Sequence, residues 1–146
     1  FTDGGDYFEG DVSREEKPKL CIAGGYHFND LAVRSQGQLG KDLYAGRSYS
    51  VYLADVLFKY RGFAISSEYI RRAASTSPVT QNATTGAHRY LVEGDGVNNQ
   101  ISYCMKSMWE FAGRYSLVTP SKRTLSLSNQ NVQYGIGVSK YLMKRA

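Results

Sequence analysis

The sequence predicts an all-β fold, an antiparallel transmembrane β-barrel of the outer-membrane type with about six strands present in this chain. Three features carry the prediction. Runs of roughly ten residues alternate apolar or aromatic side chains with polar or charged ones, the connections between runs alternate long and short, and tyrosine and glycine are abundant. Twelve tyrosines and fifteen glycines stand against one tryptophan among 146 residues. That usage suits many strands, aromatic belts and polar loops. A hydrophobic share of 42% and a charged share of 21% describe one ordered domain rather than a disordered chain. No stretch approaches the ~18 uninterrupted apolar residues of a membrane-spanning helix. A low mean hydropathy does not count against membrane strands, because only every second strand residue faces lipid and the loops are polar.

Residues 1–18 are read as a polar leader or loop. They carry Asp3, Asp6, Glu9, Asp11, Glu15 and Glu16 and hold no sustained period. Ser13-Arg-Glu-Glu16 has the form of a helix capping box, but Pro18 follows and no apolar run continues it, so at most one helical turn is expected. Residues 19–146 are read as the strands and loops of one barrel domain.

The first strand, 19–28, puts Leu20, Ile22, Gly24, Tyr26 and Phe28 on one face and Cys21, Ala23, Gly25 and His27 on the other, since strand side chains alternate with period two. A polar loop is expected over 29–46. The second and third strands form a hairpin over 48–72 about Arg61-Gly62. In its first run Tyr52, Ala54, Val56, Phe58 and Tyr60 oppose Leu53, Asp55, Leu57 and Lys59; in its second, Phe63, Ile65 and Tyr69 oppose Ala64, Ser66, Glu68 and Arg72. A loop rich in Ser, Thr, Asn and Gly spans about 75–96. The fourth strand, 97–106, sends Ile101, Tyr103 and Met105 one way and Asn98, Gln100, Ser102 and Lys106 the other. A tight turn at Ser107-Met108 leads to the fifth, 109–118, where Trp109, Phe111, Tyr115 and Leu117 oppose Glu110, Ala112, Arg114 and Ser116. After a polar loop over 119–131, the sixth strand, 132–142, opposes Tyr134, Ile136, Val138 and Leu142 to Gln133, Gly135, Gly137 and Ser139.

A soluble sandwich wants its apolar set inside; here the charged set is expected inside and the apolar set against lipid. Short periplasmic turns and longer extracellular loops mark the two rims of such barrels, so Arg61-Gly62 and Ser107-Met108 are expected at the periplasmic rim. Phe58, Tyr60, Phe63 and Trp109 would form an inner-rim girdle, and Tyr26, Phe28, Tyr52, Tyr69 and Tyr115 an outer one. Lys140 interrupts the outward face of the last strand near a rim, where a long side chain can snorkel.

Four segments, taken in order, resemble the phosphate-selective porin O and P family, closest to its Bacteroidetes-type members: D-G-G-D-Y-F-E-G-D-V-S-R-E-E-K-P-K-L at 3–20, A-D-V-L-F-K-Y-R-G at 54–62, W-E-F-A-G-R-Y-S at 109–116 and Y-G-I-G-V-S-K-Y-L at 134–142. The resemblance spans nearly the whole chain. It implies a barrel of roughly sixteen strands in the gram-negative outer membrane, a homotrimer, and passage of small anionic solutes. Six strands cannot close a barrel, for which eight is about the minimum, so the chain is expected to be a C-proximal or internal portion of a longer protein. The ending Tyr141-Leu-Met-Lys-Arg-Ala146, without a terminal aromatic, points the same way.

Inward positions supply the expected pore-lining and solute-binding residues: Lys59, Arg72, Lys106 and Arg114, with Asp55, Glu68 and Glu110 of opposite sign. Arg114 is the leading candidate, because it lies mid-strand between the small residues Ala112 and Ser116 and can reach into a pore. The mixed signs favour passive diffusion of small polar solutes over a dedicated phosphate ladder. Arg71 and Arg72 are read at the outer rim, Arg71 as a surface or lipopolysaccharide contact. His27 and His88 have no nucleophile arranged beside them, Gly40-Lys41 and Gly135-Ile-Gly137 lack the spacing of a phosphate-cradling loop, and Asn82-Ala-Thr84 is a chance glycosylation sequon, so no catalysis is expected. Cys21 and Cys104 form no metal-ligand spacing; no cofactor is expected, and two free thiols on non-neighbouring strands are. The formal charge of +5 permits an anionic partner. Nucleic acid is disfavoured because the basic residues spread over rims and loops instead of clustering beside stacking aromatics. A soluble ligand-binding barrel, or a barrel serving as scaffold or receptor in an outer-membrane complex, stays open as an alternative.

Overall fold

The computed structural model describes residues 9–142, so Asp3 and Asp6 of the expected leader and the last four residues of the chain lie outside the described residues. The fold is all-β and antiparallel. Its strands are β1 (Lys19–Arg34), β2 (Asp42–Tyr60), β3 (Phe63–Ala74), β4 (Val79–Gln81), β5 (His88–Tyr90), β6 (Gly94–Cys104), β7 (Trp109–Pro120) and β8 (Asn131–Lys140). The six long strands make one sheet in the order β1-β2-β3-β6-β7-β8, and β4 pairs with β5 in a separate ribbon. The sheet is an open meander. Among the described residues no strand pairs with the outer edge of β1 or of β8, so the sheet does not close into a barrel.

The β2–β3 hairpin turns in two residues as expected. Arg61 and Gly62 take φ of 50° and 92°, the two positive values of a type I′ turn, which matches the right-handed twist of the strands it joins. The β6–β7 turn differs. It takes four residues, 105–108, with the Met105 amide donating to the Trp109 carbonyl at 2.7 Å and Met108 at φ 64°. β6 therefore ends at Cys104, and Lys106 is an exposed turn residue, not the inward strand residue that the sequence suggested.

The expected loop over 29–46 is mostly strand. Beyond Asn29, β1 continues through a register shift to Arg34, and β2 begins at Asp42, so the connection shrinks to a short turn. This ribbon extends past the rest of the sheet, and its register shifts twice: Ala32 and Leu43 pack toward a small core under the loops while Leu31 and Val33 stay exposed, so no clean alternation survives and its composition reads as loop. The loop after β3 likewise contains the β4–β5 ribbon, and the capping-box segment forms a turn rather than a helix.

Pairing places the two side-chain sets on opposite faces across all six long strands. One row runs Tyr60, Phe63, Tyr103, Phe111 and Val138 from β2 to β8, and the next Leu20, Phe58, Ile65, Ile101, Gly113 and Ile136 from β1 to β8. Tyr26 meets Tyr52, and Tyr115 meets Tyr134, with ring centroids 5.3 Å apart in each pair. Every long strand contributes at least two large apolar side chains that remain exposed on this face, from Ile22 to Ile136, which is 98% exposed. Of the polar exceptions, Ser67 and Asn99 satisfy each other at 2.7 Å, and Arg71 stands opposite Asp95 near the loop end, where Asp95 also accepts from the Tyr69 hydroxyl. Lys140 turns to the rim, where it donates to the Ser107 carbonyl at 2.6 Å and lies over the Trp109 ring.

Candidate functional site

The opposite face carries the polar residues and divides into three zones. At the short-turn end, residues 9–18 fold over it. Asp11, 1% exposed, accepts hydrogen bonds from the amides of Gly62 at 2.6 Å and Glu15 at 3.0 Å, so its carboxylate ties the segment to the β2–β3 turn. The Arg61 amide donates to the Glu15 carbonyl at 2.9 Å, and Arg14 donates to the Cys104 carbonyl while lying over the Tyr103 ring. Glu9 accepts from Gln100 at 2.8 Å, and the Gly10 backbone rests on the Glu110 carboxylate. Lys59 and Glu110 hold polar-face positions as expected, but this segment and its neighbours leave them 3% and 8% exposed. Glu110 accepts from Tyr141 at 2.6 Å; that bond, with burial, pushes the Tyr141 hydroxyl up to about 12.

At the long-loop end a small core seals the same face. Leu91 is fully buried among Ala32, Tyr49, Val51 and Ala74. Buried Glu93 accepts from the Ala74 amide at 2.9 Å and from Arg123 at 2.7 Å, and Arg123 also donates to the carbonyls of Thr76 and Ala74. Two successive connections are thereby clasped together. Arg72 belongs to this zone: it is half-buried, with its guanidinium 5.0 Å from the Tyr49 ring centre and Nε without a hydrogen-bond partner.

The open zone lies between them. Asp55 stands directly opposite Glu68, Glu68 opposite Asn98, and Asn98 opposite Ser116. Arg114, paired in register with Gln100, donates from Nε to Asn98 Oδ1 at 2.8 Å, and Asn98 Nδ2 donates to Glu68 at 2.9 Å. Ser116 donates to the same Asn98 oxygen at 2.8 Å. These groups border a hollow of about 400 Å³ whose far wall includes Leu53, Ile70 and Val118. Gly96 keeps it open against Ile70, whose Cγ2 would lie 2.9 Å from any added Cβ.

The structure thus brings Asp55, Glu68 and Arg114 together on open surface, places Arg72 near the loops, covers Lys59 and Glu110, and leaves Lys106 in a turn. Asn98 carried a signal in its inward alternation. Asp11, Glu93 and Arg123 carried none, because their partners are backbone groups or side chains that meet them only after folding. Cys21 and Cys104 are free, with β2 and β3 between their strands. Comparison with protein-family models, curated proteins and solved structures finds no match to the chain.

Proposed function

We infer that this sheet is a section of the wall of an outer-membrane-type β-barrel whose polar face lines a water-filled passage for small polar solutes. The observation that carries the reading is the inverted amphipathicity of the whole sheet. One face exposes apolar and aromatic side chains from all six long strands, with Arg71, Asp95 and Lys140 toward its ends, and the other holds most of the charges. Full burial of one such side chain contributes about 1.5–3 kcal/mol. Leaving a dozen or so in water forgoes more than the ~5–15 kcal/mol by which a domain is stable. A bilayer removes that loss, and contiguous apolar surface on this scale marks a membrane or partner contact.

The two unpaired edges support closure. A bilayer core tolerates no open strand edge, so β1 and β8 take further strands there, in a barrel of roughly sixteen. In this reading the short turns face the periplasm, the clasped loops face outward toward lipopolysaccharide, and the oligomer is a trimer like those of the porin O and P family that the sequence resembles. Because Asp55 and Glu68 stand beside Arg114, the passage is polar with mixed signs, and phosphate selectivity is the weaker part of the family reading. The test is reconstitution of the full-length protein in a planar bilayer under a salt gradient. Discrete conductance steps are expected, with a reversal potential showing weak charge preference; absence of any step overturns the channel reading.

A further inference from the structure

The hollow between β2 and β8 has a chemistry of its own, and the geometry points to a binding site for a zwitterionic solute with an apolar side group, such as a free amino acid. This rests on the polar face lining a passage, and it adds what that passage holds. Asp55 and Glu68 are cross-strand neighbours of like charge, a pairing that costs stability unless a cation lies beside it. Neither makes an ion pair among the described residues, although Arg114 is close enough to share Asn98 with Glu68.

Asn98 is the spacer. Its amide accepts from Arg114 Nε and donates to Glu68, so the guanidinium and the carboxylate stay within about 8 Å without closing on each other. Arg114 spends Nε on this bridge and on Ser116, and its two Nη groups, the fork suited to a carboxylate, carry no hydrogen bond among the described residues. An α-amino acid fills that gap. Its carboxylate meets the Arg114 fork, its ammonium meets Asp55 and Glu68, and two hydrogen bonds of about 2.8 Å plus the few ångströms between the solute's own charges span the separation. The side group then lies against Leu53, Ile70 and Val118, in a hollow of about 400 Å³ that suits a small ligand. A simple anion would leave the two carboxylates uncompensated. A simple cation would leave Arg114 so.

Titration of the full-length protein in detergent tests the site without requiring conductance. The probes are leucine, 4-methylpentanoate, which lacks its ammonium, 3-methylbutylamine, which lacks its carboxylate, and inorganic phosphate. Leucine is expected to bind at least about tenfold more tightly than the other three. Glu68→Gln is expected to weaken leucine and 3-methylbutylamine about tenfold while sparing 4-methylpentanoate; Arg114→Gln is expected to do the reverse for the two single-charge probes. The opposite responses of one variant to two probes separate lost recognition from lost folding. Phosphate or 4-methylpentanoate matching leucine, or Glu68→Gln tightening leucine, overturns the inference. Leucine binding by a protein that shows no bilayer conductance sinks the channel reading and leaves the site standing, whereas conductance without leucine preference does the opposite.

Discussion

Tyr141 lies one residue beyond β8 and donates its hydroxyl to Glu110, a carboxylate shielded by the N-terminal segment. The bond and burial raise the hydroxyl from its ordinary value near 10 to about 12, so the folded chain holds the proton longer than the unfolded one. Below pH 10 both states are protonated and the stabilisation is present in full. As pH rises toward about 12 the unfolded state ionises first, and the contribution is lost across that window. Tyr141→Phe is expected to cost about 1–2 kcal/mol at pH 8 and to flatten the fall in stability between pH 10 and 12, read by denaturant unfolding at several pH values. An unchanged alkaline slope in the variant would assign that fall to other groups. At the neighbouring β2–β3 turn, Gly62 is held by its backbone conformation and by its amide bond to Asp11. Its φ of 92° disfavours any side chain, and an added Cβ would meet the Cys104 carbonyl and the Arg14 guanidinium. Gly62→Ala is expected to destabilise by about 1–3 kcal/mol in the same assay, and a neutral result would show that the turn relaxes. The Gly62 turn was legible, since Arg-Gly between two alternating runs is a local signal. The Tyr141–Glu110 bond was not, because it depends on where two strands end relative to each other.

Among the elements, the segment over 9–18 changes most between sequence and structure. Its acidic composition reads as solvated loop, yet Asp11 is among the most buried residues, because its carboxylate answers the amide of Gly62 fifty-one positions away. Nothing local in the sequence announces an acceptor for a turn that exists only after β2 and β3 have paired. Asp11→Ala removes two charge-assisted acceptor roles and is expected to free the segment, exposing the bond after Arg14 to trypsin about tenfold faster or more. Trypsin cutting at the wild-type rate would mean that Arg14 and Glu9 hold the segment unaided. Strand lengths were misread for a related reason. In the β1–β2 ribbon the register shifts after Asn29 and again after Ala32, so the residues from Leu31 to Gly46 do not keep the alternation of the rest of the sheet. Where one face is constrained, in β3, β6, β7 and β8, the expected strands agree with the structure within two or three residues.

At the scale of the whole molecule, the two-faced partition was legible because six strands repeat it. A slip of one residue in any pairing would flip that strand's entire set, and the observed registers keep the apolar set on one face throughout. Closure was not legible, because no pattern within β1 or β8 names a partner for its open edge. The partition also yields the sharpest test of what covers the apolar face. Ile136 is 98% exposed at mid-β8, so in water its replacement by a polar residue falls in the class of surface substitutions, within about 0.5 kcal/mol of neutral. Against lipid, an arginine near the midplane of a barrel strand costs about 2–4 kcal/mol. Gln133, three positions earlier and on the polar face, is the internal control: Gln133→Arg is expected to stay within about 0.5 kcal/mol in either setting. Unfolding of the full-length protein from phospholipid vesicles should therefore separate the two variants by about 1.5 kcal/mol or more, with Ile136→Arg the weaker. Equal stabilities would mean that the apolar face of β8 does not meet a bilayer, and the inverted sheet would then need a protein partner to cover it.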